Sequence, residues 1–519
     1  MRKKHLLILI PLLFLFASCG GASDAPEDIE DLSSIPVVET AGSDISEDES
    51  EQTAAITNHH IPNYIINLDI DPKDRRVNGV MQISFKNTSS HPLDRVFLNV
   101  PFNAFSEEAV HPPFFYVFEN RVFQHGHDFA VMDIQAATIN LNPALFQVDN
   151  TLLTIYFDDY LPIGSAAEIG IVFEAVIPRI SHRTGGNDYA MWFGNFLPTL
   201  AVLSDDNWHI YPFFPAGSPF FTVSSNYQVN ITTPLDYRII ATGQEIRNEV
   251  SAMQLAVTSV DIGLSRDFAF AALSDAYNSY RATGMGGISV GLYFHSRWEN
   301  IDAAAILETA VAAFDYFSER IGTFPHQNFD IVETELFIHD SIKLPGIMFI
   351  DSRQLRSNAV HASIARDIGY QWFYNVLGNN PVTEAWLSHG LVAFLQLGFS
   401  MQEEDMHNHM QNLHASLSSR LLNLNYPLLS YDLSVYATWN EFHSVQVQRG
   451  KMLFYALWQR MGPEKFDEFL QTYYQRYIFS IASSDGMIAV AEEVYGESLE
   501  EFFNAWINSP ALPDIDNVN

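Results

Sequence analysis

Cysteine and basic residues are scarce in this chain of 519 residues. Its one cysteine, Cys19, cannot form an intramolecular disulfide, so the core must be held by packing. The 27 lysines and arginines stand against 62 aspartates and glutamates, and the formal net charge is −35. Nucleic-acid binders need a positive surface, so we expect no nucleic-acid partner. The sequence also lacks a glycine-rich phosphate loop, a dinucleotide fingerprint and an internal repeat.

The abundant residues are apolar, and they indicate a folded protein of several domains. Hydrophobic residues make up 47% of the chain and aromatic residues 13%, which excludes a disordered or low-complexity chain. At roughly 100–200 residues per domain, the length predicts two to four domains.

The first residues read as a targeting segment. A basic start at residues 2–4 precedes an apolar run from Leu6 to Ala17, which is shorter than the roughly 20 residues that span a bilayer. Small residues then lead to Cys19, as in a bacterial lipoprotein signal. We therefore expect residues 1–19 to be a lipoprotein signal peptide, Cys19 to carry the lipid, and the protein to be exported and anchored at the extracytoplasmic face of the cell membrane. An ordinary signal peptide or a free thiol is the alternative.

Residues 20–57 are acidic and poor in apolar groups. They contain many aspartates and glutamates and no lysine or arginine, mixed with serine, alanine, glycine and proline. Because like charges repel and little apolar surface is available for burial, this composition predicts a disordered tether.

Residues 58–297 carry the pattern of β structure. The run from Tyr64 to Asp71 alternates apolar and polar residues and stops at Pro72, as a strand does before a turn. Similar short runs occupy 80–85, 96–100, 152–157, 169–173, 227–231 and 238–241. Many short strands at turn spacing predict an all-β domain of the sandwich or twisted-sheet type.

Beyond residue 297 the apolar spacing becomes helical. Residues 306–317 keep one apolar face, with Asp302 near the start and Gly322 just past the end. A strand is predicted at 329–337, and helices near 359–377 and 383–398. We assign 298–400 to an α+β region and 401–519 to a C-terminal helical region.

The helix pair carries a resemblance to a known family. Gln371-Trp372-Phe373, followed by the run from Glu384 to Leu391, resembles the active-site helices of the aminopeptidase-N-like zinc metallopeptidases, peptidase family M1. These gluzincin-type enzymes carry H-E-x-x-H-Q-W and then W-L-N-E-G. The resemblance covers residues 60 to 508 and implies an N-terminal all-β saddle-like sandwich domain, a thermolysin-like α+β domain and C-terminal helices.

The positions that the resemblance assigns to zinc hold other residues here. Arg366 and Tyr370 stand at the two histidine positions, and His389 stands at the glutamate position. A guanidinium offers no lone pair and repels a cation, and a neutral phenol is a poor ligand. The resemblance therefore implies three degenerate metal positions.

Three further functional positions differ from the family pattern. By the resemblance, Asp367 stands where the general base would be, one methylene shorter than glutamate. Lys343 stands where a glutamate would bind the free amine of a substrate, and Val447 stands where a tyrosine would stabilise the oxyanion. These changes predict a non-catalytic protein that needs no cofactor and holds a peptide or protein ligand in the interdomain cleft.

Other functions remain open on sequence grounds. One is an active M1-like aminopeptidase with an altered zinc site, and another is a scaffold or inactive partner of an active relative. Arg366 is expected to pair with Asp367 or Glu384, or to form an anion-binding pocket with Lys343. Three weaker patterns are also present. A replacement metal site would use His339, His361, Asp367 and His389. A surface histidine cluster comprises His407, His409 and His414, and a nucleophile triad would use Ser341, His339 and Asp340.

Overall fold

The computed structural model describes residues 61–515. The predicted signal peptide, the lipid attachment at Cys19 and the acidic tether lie outside these residues. Among the helices of residues 61–515, none combines the length and the hydrophobicity required to cross a bilayer.

The first half of the described chain is a β domain, as the alternation of apolar residues predicts. In β1 and β2 every second side chain is buried, so each strand presents one face to the core. The elements of this domain are β1 (Asn63–Asp71), β2 (Arg76–Lys86), β3 (Leu93–Asn99), α1 (Glu119–Val122), β4 (Met132–Ile139), β5 (Asn142–Pro143), β6 (Phe146–Asp149), β7 (Leu152–Leu161), β8 (Ala166–Val176), β9 (Thr184–Gly186), β10 (Ala190–Phe193), β11 (Thr199–Leu200), β12 (Val202–Ser204), β13 (Asn207–His209), β14 (Ser225–Pro234), β15 (Tyr237–Ala241), β16 (Gln244–Val250), β17 (Leu255–Ser265) and β18 (Phe270–Ser274).

These strands form one large sheet and smaller sheets packed beside it. The large sheet has eight strands in the order β16-β17-β14-β1-β2-β8-β4-β5, antiparallel except for the β1–β14 pair. Two four-stranded sheets follow the orders β15-β18-β10-β9 and β11-β3-β7-β6. The buried faces share one apolar core that includes Ile66, Leu98, Phe173 and Phe193.

The second domain begins earlier than the sequence indicates. Its five-stranded sheet has the order β19-β20-β21-β23-β22. The strands are β19 (Tyr277–Thr283), β20 (Ser289–His295), β21 (Asn328–Thr334), β22 (Ser341–Leu344) and β23 (Ile347–Asp351). The boundary predicted at residue 297 is therefore corrected, because β19 and β20 lie before it yet belong to this sheet. Strand periodicity alone does not reveal with which sheet a strand pairs.

Helices surround this sheet and form the C-terminal region, as predicted. They are α2 (Ala303–Ile321), α3 (Ser352–Leu355), α4 (Val360–Trp372), α5 (Trp386–Ser400), α6 (Glu403–Leu421), α7 (Trp439–Phe442), α8 (Gly450–Met461), α9 (Pro463–Tyr477), α10 (Ser484–Tyr495) and α11 (Glu500–Ile507), with a π-helix at His443–Arg449 between α7 and α8. The Asp302 side chain caps α2 by accepting from the Ala305 amide, and Gly322 follows its end, which confirms both predicted signals.

The helix α4 ends five residues before the predicted position 377. Tyr374 has a φ of 103°, which is incompatible with a continuing right-handed helix. The amides of Asn375 and Leu377 instead reach back five residues, to the carbonyls of Tyr370 and Trp372. This tight turn leads through Gly378 into the segment before α5.

Two buried arginines join distant segments through backbone carbonyls. Arg266 of the β domain donates to the carbonyls of Thr222, Val376 and Ser480. Arg449, at the end of the π-helix, is 0% exposed. It donates to the carbonyls of Pro427, Trp506, Ser509 and Ala511.

Candidate functional site

The helix pair α4 and α5 places three of the predicted site residues together. Arg366 and Tyr370 are four residues apart on α4 and therefore share one face, and His389 lies on the first turn of α5. Close contact of Gly390 with Gly450 of α8 fixes α5 in place, since a Cβ at Gly390 would lie 2.7 Å from the Gly450 backbone. The glycine that fits the family pattern is thus required by packing.

Tyr370 and His389 are joined by a short buried hydrogen bond. The distance between Tyr370 Oη and His389 Nδ1 is 2.6 Å, and both residues are buried. Burial raises the pKa of the Tyr370 phenol, so it keeps its proton. Burial and the charges of Lys343 and Arg366 hold the pKa of His389 well below its ordinary value, so the imidazole is neutral.

This charge state determines the direction of the bond. The phenol has Nδ1 as its partner among the described residues and donates to it, which leaves the imidazole proton of His389 on Nε2. The Nε2 atom is buried and has no hydrogen-bond partner among residues 61–515. His389 therefore presents one N–H donor that no described group satisfies.

Arg366 forms the ion pair that the sequence predicts, with Asp367. Arg366 Nε lies 2.9 Å from Asp367 Oδ1, and its Nη2 donates to Ser341 Oγ at 2.7 Å. The Asp367 side chain is 1% exposed, whereas that of Arg366 is 37% exposed. The second predicted partner, Glu384, is engaged elsewhere, where it accepts from the Ser484 amide.

Lys343 lies on β22, beside α4. Gln371 of α4 fixes this arrangement, because its side chain donates to the Leu344 carbonyl and accepts from the Gly346 amide. Lys343 Nζ lies 4.2 Å from the centroid of the Tyr370 ring and 5.8 Å from that of Tyr374, within the range of cation–π attraction. It forms no hydrogen bond or ion pair with the described residues.

The surroundings of Lys343 disfavour the protonated, charged form of its side chain. Burial lowers the pKa of the ammonium from 10.5 to about 7. The charge of Asp367 opposes this shift, whereas those of Arg366 and Arg183 add to it. Lys343 therefore titrates near neutral pH, unlike an exposed lysine.

We expect Lys343→Met to stabilise the protein in a pH-dependent manner. Between pH 7 and 10.5 the unfolded chain binds one more proton at this side chain than the folded chain does, so the wild type gains stability as pH rises. Below pH 7 the folded state carries the full free-energy cost of the buried charge. This cost vanishes near pH 10.5, where the side chain also loses its proton in the unfolded chain. Calorimetry should show an apparent Tm about 2–4 °C higher for the variant at pH 6, with a smaller gain at pH 9.5.

A matched control is Lys86→Met, because Lys86 is exposed at the end of β2. Its apparent Tm should equal that of the wild type at both pH values. If Lys343→Met gave the same gain at pH 6 and at pH 9.5, improved packing rather than a removed charge would explain it.

The remaining predicted positions do not add catalytic groups. Val447 lies half-buried in the π-helix and packs against the core of the second domain with an aliphatic side chain. Ser341 accepts from Arg366, while the His339 ring contacts His182 and Trp439, so the Ser341 triad is not formed. The role of Val447 as a lost oxyanion residue stays a prediction from the resemblance.

The histidines considered as metal ligands are placed apart. His361 is exposed and bonded to Thr309 of α2. His407 contacts Tyr455, and His414 contacts the Pro513 carbonyl. Residues 61–515 contain no group of three or more histidine, cysteine, aspartate or glutamate side chains that could hold a metal ion.

The sequence pattern missed an arginine of the β domain near the site. Arg183 is 6% exposed, donates to Asn195 Oδ1 at 2.8 Å and lies 4.6 Å from the Phe220 ring centroid. Asn195 in turn donates to Asp267, whose pKa is raised by burial to about 7. Nothing in the local sequence marks Arg183, because its position near Lys343 depends on how the two domains pack.

The donor atoms of the site do not fit a zinc ion. Protein zinc sites use at least three side chains that carry lone pairs. Arg366 has none, the Tyr370 phenol keeps its proton, and His389 Nδ1 is occupied by that phenol. The atoms that remain without a partner are His389 Nε2 and Asp367 Oδ2, fewer than such a site requires.

Fold and site together define a class. A sheet-rich domain packs on an α+β domain whose central helix pair carries the candidate site, which is a two-domain fold found among solved metallopeptidase structures. A solved structure of the M1 zinc metallopeptidase from Deinococcus radiodurans has this fold, with a TM-score of 0.61 over 88% of this chain and 95% of that chain. At 13% identity the likeness shows the fold alone.

The sequence comparison identifies a family domain within the chain. Residues 306–506 match the peptidase family M1 domain, so the chain carries an M1 domain and the resemblance in its sequence is confirmed. Aminopeptidase M1-B of Oryza sativa subsp. japonica is 23% identical over 227 residues, and aminopeptidase N of Streptomyces lividans is 20% identical over 253 residues. These matches cover 40% and 43% of this chain, but only 26% and 28% of the relatives.

Proposed function

We propose that this protein is a membrane-anchored, non-catalytic relative of the M1 aminopeptidases, a pseudopeptidase whose cleft binds a peptide or a partner protein. One observation carries the proposal. The side chains at the positions of the family's metal ligands and general base bond to one another, as Tyr370 with His389 and as Arg366 with Asp367. They form a charge-neutralised cluster rather than a set of free metal ligands.

The chemistry of hydrolysis supports the inactive assignment. Metallopeptidases cleave amides with a water that a metal ion polarises, and a general base must take its proton. In this site a permanent cation stands at one ligand position, and the carboxylate at the base position is paired with it. Neither step has the group that it requires.

One observation supports a peptide as the ligand of the site, and another supports a membrane as the location of the protein. A mutant of the Deinococcus radiodurans enzyme, similar to this chain with a TM-score of 0.63 and 14% identity, is bound to a Tyr-Ser-Ala substrate. The anchor rests on the sequence, in which an apolar run and Cys19 precede an acidic segment suited to a tether.

One preparation tests both parts of the proposal. Full-length protein expressed in a bacterial envelope is extracted with Triton X-114 and assayed for zinc and for hydrolysis of aminoacyl fluorogenic substrates. We expect the protein in the detergent phase, fewer than about 0.1 zinc ions per chain and no turnover that EDTA abolishes. A Cys19→Ala variant should move to the aqueous phase.

The active-enzyme alternative gives the opposite result. Stoichiometric zinc with EDTA-sensitive turnover, both lost in a His389→Ala variant, would establish a working metallopeptidase and reject the proposed function. A detergent-phase Cys19→Ala variant would reject only the lipid anchor.

A further inference from the structure

The candidate site of this acidic protein contains a lysine, Lys343, that forms no ion pair with the described residues. The chain carries a net charge of −35, yet Lys343, Arg366 and Arg183 lie close enough to influence one another's charge. Arg366 is paired with Asp367, and Arg183 is linked to Asp267 through Asn195. Lys343 lies against the rings of Tyr370 and Tyr374 and forms no hydrogen bond or ion pair with the described residues. Asp367 is near enough to favour its charged form, but this carboxylate is already paired with Arg366.

An independent observation points to a ligand at the same place. His389 is 5% exposed and its Nε2–H has no hydrogen-bond partner among the described residues. Leaving a buried donor unsatisfied is unfavourable, so a ligand that accepts from it gains affinity. The Tyr370 side chain connects the two groups, since its ring lies under Lys343 Nζ and its hydroxyl bonds to His389.

The chemistry of these groups selects an anion. An ammonium, an imidazole N–H and the free edge of a guanidinium all donate hydrogen bonds, and charge-assisted bonds to a carboxylate are the strongest that they form. A ligand's free amine would be repelled by Lys343 and would have no acceptor at His389 Nε2–H. Asp367 Oδ2, also without a partner among residues 61–515, can accept an amide N–H.

We propose that the cleft recognises a peptide through a carboxylate, held by Lys343 and His389 at the rim of the Tyr370 ring, with Asp367 accepting an adjacent amide N–H. This assignment rests on the proposed non-catalytic function and names its ligand class. The carboxylate is either the C-terminus of the peptide or an acidic side chain. The amine end of the peptide plays no part in recognition.

Calorimetric titration with three N-acetylated tetra-alanine probes tests the proposal at pH 6, where Lys343 is protonated. One probe has a free C-terminal carboxylate, one has an amidated C-terminus, and one is amidated with an internal glutamate. We expect the amidated all-alanine probe to bind at least about 10-fold more weakly than a carboxylate probe, a loss typical of one charge-assisted contact. Whichever carboxylate probe binds more tightly identifies the source.

Variants of the chain make the result specific. Lys343→Met should weaken carboxylate binding at least about 10-fold, Lys343→Arg should retain it, and Lys86→Met should leave it unchanged. A normal calorimetric unfolding transition at pH 6 shows that each variant is folded.

The inference is overturned if the amidated all-alanine probe binds as tightly as the carboxylate probes, or if no carboxylate probe binds at about 5 mM. It is also overturned if Lys343→Met binds normally. Failure of the proposed function looks different, because the protein would then contain zinc and cleave unblocked peptides.

Discussion

The variant Arg366→His, Asp367→Glu, Tyr370→His and His389→Glu should bind one zinc ion per chain, with a dissociation constant of about 1 µM or tighter. The backbone supplies the required arrangement, since positions 366 and 370 share one face of α4 and position 389 faces them from α5. The substitutions remove the cation of Arg366 and break the Tyr370–His389 bond, which are the two physical obstacles to a metal. Zinc content and competition with a chromogenic chelator measure the gain.

The neighbouring ammonium sets the conditions. Lys343 has a pKa of about 7 and lies 4.2 Å from the Tyr370 ring, so the measurement belongs at pH 8.5, where most of its charge is lost. The matched control keeps Tyr370 and carries the other three substitutions. With two ligands instead of three it should bind zinc at least about 100-fold more weakly. A folded quadruple variant without zinc would show that positions 366, 370 and 389 do not face one common point.

The second large effect concerns Arg449. The substitution Arg449→Met should lower the free energy of unfolding by about 3–5 kcal/mol, because several buried carbonyls lose their donor at once. Burial lowers the pKa of this guanidinium to about 10, so it is still protonated at neutral pH and donates to the carbonyls of Pro427 and Trp506, which lie far apart in the helical region. Calorimetry measures the loss, and limited proteolysis should show earlier cleavage after Trp506.

The control for this substitution is Arg476→Met on α9. Arg476 is exposed and pairs with Glu493 at 2.8 Å, and such surface pairs contribute at most about 1 kcal/mol. Equal losses in the two variants would mean that the buried carbonyls do not depend on Arg449.

Much of the fold could be predicted from periodicity. The alternation in β1 and β2 and the capped pattern of α2 are local signals, and the structure confirms them. The boundary at residue 297 was wrong because a strand's own residues do not specify its partner strand. The end of α4 was wrong because it depends on the positive φ of Tyr374 rather than on a helix-breaking residue.

The site could be predicted only in part. The resemblance placed Arg366, Tyr370 and His389 on facing helices, and Asp367 was one of the two partners predicted for Arg366. The contact of Lys343 with Tyr370 was not predictable, because β22 and α4 meet through tertiary hydrogen bonds of Gln371 and Arg366. Long-range packing, rather than sequence spacing, decides which charges in the cleft remain unpaired.

Arg266 has a consequence for the order in which this chain can mature. Its guanidinium packs where any side chain at Gly378 would collide with it, and its acceptors come from Thr222, Val376 and Ser480. Two of these carbonyls emerge from the ribosome more than a hundred residues after the arginine itself. Until translation has nearly finished, a nascent β domain therefore offers Arg266 only the Thr222 carbonyl among its three acceptors, so this arginine cannot reach its final bonding before the helical region has been made.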